Sequence, residues 1–219
     1  MNRREALSRV SILLGGAIVG ADVFLSGCKT SGKKTGSFAA EDIVLLDEIG
    51  ETIIPATPGA GGAKAAKVGQ FMKTIVTDCY SDEEQKAFMD GIEDLRKACQ
   101  SKHKKDFNNL SVAEKEAFLT DLHKEANDYA KSDAYKKAKE TFDKQQDSWA
   151  EQEVSKGNFG ALYLKKHYPP HYFAMMRQLT LWGYFSSETG MTQALRYVET
   201  PGHYDGNYPY KKGDKAWAL

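Results

Sequence analysis

Val68, Phe71, Met72, Ile75, Val76 and Cys79 recur at i, i+3, i+4, i+7, i+8 and i+11. That is one face of a helix, wide enough in apolar surface to require other helices against it. Three further stretches repeat the pattern. Ile43, Leu46, Ile49 and Ile53 form the first, Phe88, Ile92, Leu95 and Cys99 the second, and Phe118, Leu122 and Ala126 the third. No segment alternates apolar and polar residues for long, so no strand is expected. The expectation is an all-α fold: a single compact helical domain followed by an irregular aromatic C-terminal tail.

Punctuation between the stripes sets their ends. Pro55 closes the first helix, and Thr57-Pro58-Gly59-Ala60-Gly61-Gly62 reads as a plain loop. Ser81 with Glu84, and Ser111 with Glu114, fit capping boxes, each opening a helix. Residues 127–156 are rich in Lys, Glu, Gln and Asp. Tyr135, Phe142 and Trp149 lie seven apart there, which predicts one long charged helix laying a narrow aromatic seam on the body. After Pro169-Pro170 a last helix carries Leu179, Trp182, Gly183, Tyr184 and Phe185. Its aromatic residues read as core packing, and Gly190 as a stop with positive φ. Beyond it, residues 197–210 are Tyr-, Pro- and Gly-rich with no periodic face.

The N-terminus reads as an address rather than a fold. Arg3 and Arg4 precede an apolar run, Val10 to Leu25, of 16 residues. That is short of the roughly 20 a spanning helix needs. Asn2-Arg3-Arg4-Glu5-Ala6-Leu7 is similar to a twin-arginine export signal, although Ala6 replaces the usual Phe; an ordinary charged signal is the plainer alternative. Leu25-Ser26-Gly27-Cys28 is similar to a bacterial lipobox, with Cys28 lipidated as the first mature residue. The competing reading leaves the apolar segment uncleaved as a weak anchor. The expected organisation is a signal over 1–27, a lipidated tether over 28–40 and a helical domain over 41–219. The expected location is the bacterial cell envelope, lipid-anchored and facing the periplasm.

Without residues 1–27 the chain keeps 27 basic and 28 acidic residues, a net charge of −1. No strong field of either sign is available to steer nucleic acid or an anionic surface, so charge does not decide the partner, and no nucleic-acid partner is expected. With Cys28 assigned to lipid, Cys79 and Cys99 remain. A straight helix of 18 residues between them is about 27 Å long, beyond the roughly 7 Å a disulfide allows. Two separate thiols in the core are expected, unless the helix breaks near Gly91.

Recognisable chemistry is missing. No Gly-x-Gly-x-x-Gly follows a strand, and no Gly-x-Ser-x-Gly elbow occurs. His167 and His171 have a metal-binding spacing, but Pro169-Pro170 between them forbids the regular helix that would align them. The expectation is no catalytic residue, no bound cofactor and no metal in this chain. An export route for folded proteins, on a chain without a cofactor of its own, suggests that it travels for a cofactor-loaded partner.

Three stretches carry a resemblance. They are Leu46-Asp47-Glu48-Ile49-Gly50-Glu51-Thr52-Ile53-Ile54-Pro55, then Asp78-Cys79-Tyr80-Ser81 with its acidic helix, then Leu179-Thr180-Leu181-Trp182-Gly183-Tyr184-Phe185-Ser186-Ser187-Glu188-Thr189-Gly190. Behind the third come Tyr197, Pro201-Gly202, Tyr204 and Gly206. In this order they resemble the gluconate 2-dehydrogenase subunit 3 family, over about residues 41–126 and 170–210. Segment 127–156 looks like an insertion relative to that family. The resemblance implies a non-catalytic small subunit of a gluconate 2-dehydrogenase (acceptor)-type complex. It would assist folding, export and membrane attachment of an FAD-dependent, glucose-methanol-choline-type large subunit, with a c-type cytochrome as a possible third member. FAD would belong to the partner. The tail residues Tyr197, Pro201, Tyr204, Tyr208 and Pro209 are the expected partner interface, with a lid over the domain's own core as the alternative. A stand-alone envelope lipoprotein scaffold is the competing function.

Overall fold

The computed structural model describes residues 38–200, 202 and 205–218; the export signal residues Arg3 and Arg4, the lipidation residue Cys28 and the tail residues Pro201 and Tyr204 lie outside them. Six α-helices form among the described residues: α1 Ala40–Ile53, α2 Val68–Cys79, α3 Asp82–His103, α4 Val112–Lys131, α5 Asp133–Ser155 and α6 Tyr172–Phe185. Short 3₁₀ turns cover Phe107–Asn109 and Phe159–Tyr163, and a π turn covers Gly190–Ala194. Among the described residues there are no strands, only two isolated bridges. The all-α expectation holds.

Both capping boxes are present. The Glu84 N–H donates to Ser81 Oγ at 3.3 Å, and Glu84 Oε2 accepts from the Ser81 N–H at 3.0 Å. Ser111 and Glu114 repeat the exchange. These pairs satisfy backbone donors that a helix start leaves free.

Helix α6 is the hub, packing on α1, α2, α3 and α4. Being enclosed from several sides, it buries Phe173, Met175, Met176, Leu179, Thr180, Gly183 and Tyr184. The expected stripes face it and one another: Leu46 and Ile49 from α1, Val68, Met72 and Val76 from α2, and Phe88, Ile92, Leu95 and Cys99 from α3. Where α3 crosses the start of α6, Gly91 admits the Tyr172 side chain; a Cβ there would lie 2.2 Å from Tyr172 Cβ. Gly91 is a crossing point in an unbroken helix rather than a break. One charged pair enters this interior. Asp42, 5% exposed, pairs with Arg96 at 2.6 Å and joins α1 to α3.

Four expectations are corrected. The cysteines are free, but only Cys99 is buried; Cys79 is exposed, because the buried seam of α2 stops at Val76 and Cys79 sits at the helix end, one turn beyond. The charged stretch is not one helix. It divides at Ser132, whose Oγ accepts from the Tyr135 N–H and opens α5, and Trp149 remains exposed. Trp182 and Phe185 are exposed as well, since they lie off the strip of α6 that the neighbouring helices cover; Tyr184 alone of the three is core. Finally, Gly190 does not take positive φ. It opens the π turn, where a Cβ would come within 1.9 Å of the Tyr184 carbonyl oxygen.

Candidate functional site

The first family-like stretch works on its own neighbourhood. Asp47 Oδ1 accepts from the Gly69 N–H at 2.8 Å and so caps the start of α2, whose N-cap residue Lys67 is left-handed and offers no side-chain cap. Burial pushes the Asp47 carboxyl up, against the lowering effect of that hydrogen bond. Glu51 takes the Ala56 N–H at 2.9 Å and the Lys64 N–H at 2.8 Å, holding both sides of the loop 54–67. Burial raises the Glu48 carboxyl too, but hydrogen bonds from Lys64 and Lys115 outweigh it and the net shift is downward. Three carboxylates in five residues resemble an acid–base cluster. Here each is committed to the chain's own backbone or lysines.

From that loop a path runs to the C-terminal tail. The Tyr184 hydroxyl donates to the Gly61 carbonyl at 2.8 Å. The Gly61 N–H donates to Gln193 Oε1 at 2.9 Å, fixing the π turn on the loop. Lys215 donates to the Gln193 carbonyl. Two residues past the π turn, Arg196 gathers the tail. Its guanidinium lies 4.6 Å from the Trp217 ring centre and 5.2 Å from that of Tyr208, two cation–π contacts. The two rings meet edge to face at 5.4 Å. The Arg196 N–H donates to Ala216 O at 2.8 Å, and Ala218 N–H donates back to Arg196 O at 2.9 Å. The described part of the tail thus closes on its own root.

Of the expected interface residues, the closed tail brings Tyr208 against Trp217 and leaves both half-exposed. Tyr197 and Pro209 are also exposed. Arg196 and Trp217 belong to the same surface and were not singled out from sequence; Tyr210 is exposed as well. The available signal was one arginine flanking an aromatic-rich tail. A groove of about 460 Å³ runs beside them, lined by Thr192, Leu195, Arg196, Tyr197 and Asp214 among others.

Elsewhere a groove of about 580 Å³ is lined by Asp121, Lys124, Glu125, Asp128, Tyr129, Ser132 and His171. Three carboxylates against one lysine would repel a pyrophosphate, so this groove does not suit a flavin dinucleotide. His171, from the pair with metal spacing, accepts from the Phe173 N–H through Nδ1 at 3.2 Å and caps α6. Among the described residues no group of three or more His, Cys, Asp or Glu is placed to hold a metal ion, and no helix is long and apolar enough to cross a membrane.

The described residues form an all-α bundle whose acidic motif braces its own loop and whose tail gathers around Arg196. Residues 40–202 match the model of the family described as gluconate 2-dehydrogenase subunit 3, and the chain belongs to that family. No curated protein and no solved structure matches it.

Proposed function

We propose that this chain is the non-catalytic small subunit of an FAD-dependent dehydrogenase of gluconate or a related sugar, supporting folding, export and membrane attachment of the flavoprotein. The observation that carries this reading is the family match over residues 40–202. The flavin and substrate pocket belong to the large subunit, a glucose-methanol-choline-type oxidoreductase, and a c-type cytochrome is its electron partner. Arg3 and Arg4 direct export, and lipid on Cys28 holds the assembly to the membrane at the periplasmic face.

The tail surface supports the assignment of the docking face. Tyr197, Tyr208 and Tyr210 are exposed and present large faces with few rotatable bonds, the type of side chain that dominates interface energetics, and the Arg196 clamp pre-orders Tyr208. Affinity capture of the tagged chain from membranes tests the proposal. A flavin-bearing large chain should co-purify, and Tyr197→Ala with Tyr208→Ala should weaken its capture at unchanged stability of the isolated subunit. Capture without a flavin-bearing chain, from cells that express an FAD-dependent dehydrogenase of gluconate or a related sugar, would refute it.

A further inference from the structure

Helix α5 has few neighbours. It packs on the 3₁₀ turn Phe159–Tyr163 and on the end of α4. An aromatic ladder holds its base: Phe142 and Tyr135 both meet Tyr168, at 5.7 and 5.6 Å, and Tyr135 meets Tyr129 at 4.9 Å. Beyond this ladder the helix and the returning chain form an arm. Ala161 is wholly buried and Ala150 nearly so, while the Lys166 N–H donates to Gln146 Oε1 at 3.0 Å, so the 3₁₀ turn is fixed in place. Yet its large side chains point away from all of this. Phe159 is 69% exposed, Leu162 50%, Tyr163 90% and Leu164 66%. Four large apolar residues within six positions, held outward on a rigid turn, are a costly surface to leave in water.

We infer that this apolar knuckle is a membrane-contact site, inserting Phe159, Leu162, Tyr163 and Leu164 into the interface of a phospholipid bilayer. The inference rests on the reading of Cys28 as lipidated. None of the four lines the grooves described above, so the surface projects rather than receives. A projection suits a fluid layer that closes around it, and Tyr sits favourably at the headgroup level. Position supports the choice. The chain enters the domain at Phe38, whose ring packs on Phe88 of α3 at 6.1 Å. Glu83, five residues earlier on α3, pairs with Lys166 at 3.1 Å, two residues from Leu164. The tether and the knuckle therefore meet the body near the same end of α3. Ten residues from Cys28 to Phe38 reach at most about 35 Å, so the lipid and the knuckle can share one bilayer surface. Lipid and protein contacts then act as paired signals, the arrangement that makes anchoring stable. Lys156, Lys165 and Lys166 surround the knuckle but are matched by Glu153, Asp147 and Glu83, so no anionic lipid is required.

The test uses phosphatidylcholine vesicles with brominated acyl chains. In the mature chain extracted from membranes and reconstituted, Tyr163→Trp should add indole fluorescence that the bromines quench. In the mature chain with Cys28→Ser, changing Phe159, Leu162 and Leu164 to Ser should lower vesicle partition by roughly tenfold per side chain, with the far-ultraviolet spectrum unchanged. An unmodified Cys28 mass in the membrane-extracted protein would overturn the lipidation reading. Lipidated Tyr163→Trp protein whose added fluorescence escapes quenching, and partition indifferent to the serines, would overturn the knuckle. Added fluorescence that the bromines leave untouched, but that shifts to the blue when the flavoprotein is supplied, would assign the knuckle to a protein interface and equally overturn it.

Discussion

Gly91→Ala tests the central packing directly. A methyl at this position in α3 would sit 2.2 Å from Tyr172 Cβ and 2.3 Å from its Cγ, where carbon atoms settle at about 3.5–4.0 Å. Tyr172 Cβ is fixed by the backbone, so no rotamer change moves it away. The helices themselves must part by more than an ångström. Overpacking of this kind costs about 3 kcal/mol, at the upper end of the usual range because the neighbour cannot yield. Against it, alanine gains about 1 kcal/mol of helix propensity over glycine. A net loss of about 2 kcal/mol remains. For a domain of this length it lowers the melting temperature by about 4–8 °C, measurable by circular dichroism or calorimetry. A variant that melts at or above the parent temperature would mean that α3 and α6 do not cross at Gly91, and the account of the hub would be wrong.

His171 predicts a pH effect. Burial lowers its pKa, with Glu125 opposing, and its Nδ1 must stay unprotonated to cap α6. The unfolded chain binds the proton more tightly, so this contribution is complete above about pH 6.5 and declines as pH falls below it, levelling under the depressed folded value. His171→Asn should keep a capping acceptor and flatten that part of the profile in urea melts across the window; an unchanged slope would exclude His171 as its source. Thiol labelling of the Cys28→Ser chain should modify Cys79 in the native state and Cys99 only on unfolding. The Cys99 thiol is buried, its pKa is raised by that burial, and it donates to the Lys105 carbonyl at 3.3 Å. Arg96→Met should leave Asp42 without its cation and cost about 2 kcal/mol in denaturant unfolding, less than a fully buried pair because Arg96 is partly solvated.

Local signals carried the sequence reading furthest. The 68–79 stripe and the Ser81 and Ser111 boxes are set within a few residues of the chain, and they appear where periodicity and capping chemistry place them. The break at Ser132 was harder to see. Good helix formers lie on both sides, with no Gly or Pro between, and only the Ser132-Asp133 pair marks a new N-terminus. Trp182 and Phe185 depend on where neighbouring helices stop, which no residue of their own stretch encodes. The Arg196 clamp joins residues some 20 apart through ring faces. The acids of the first motif illustrate the converse. Their spacing is visible, but their engagement with Gly69, Ala56 and Lys115 is decided by tertiary structure.

The hub position of α6 also fixes when this molecule can take shape. Among the described helices it follows the four it joins in the order of synthesis, and their apolar faces stay open until it arrives. A nascent chain stalled before residue 172 therefore offers proteases and chaperones an unfilled cleft. Structure formation thus waits for residues 172–185, and the emergence of that one segment commits the bundle.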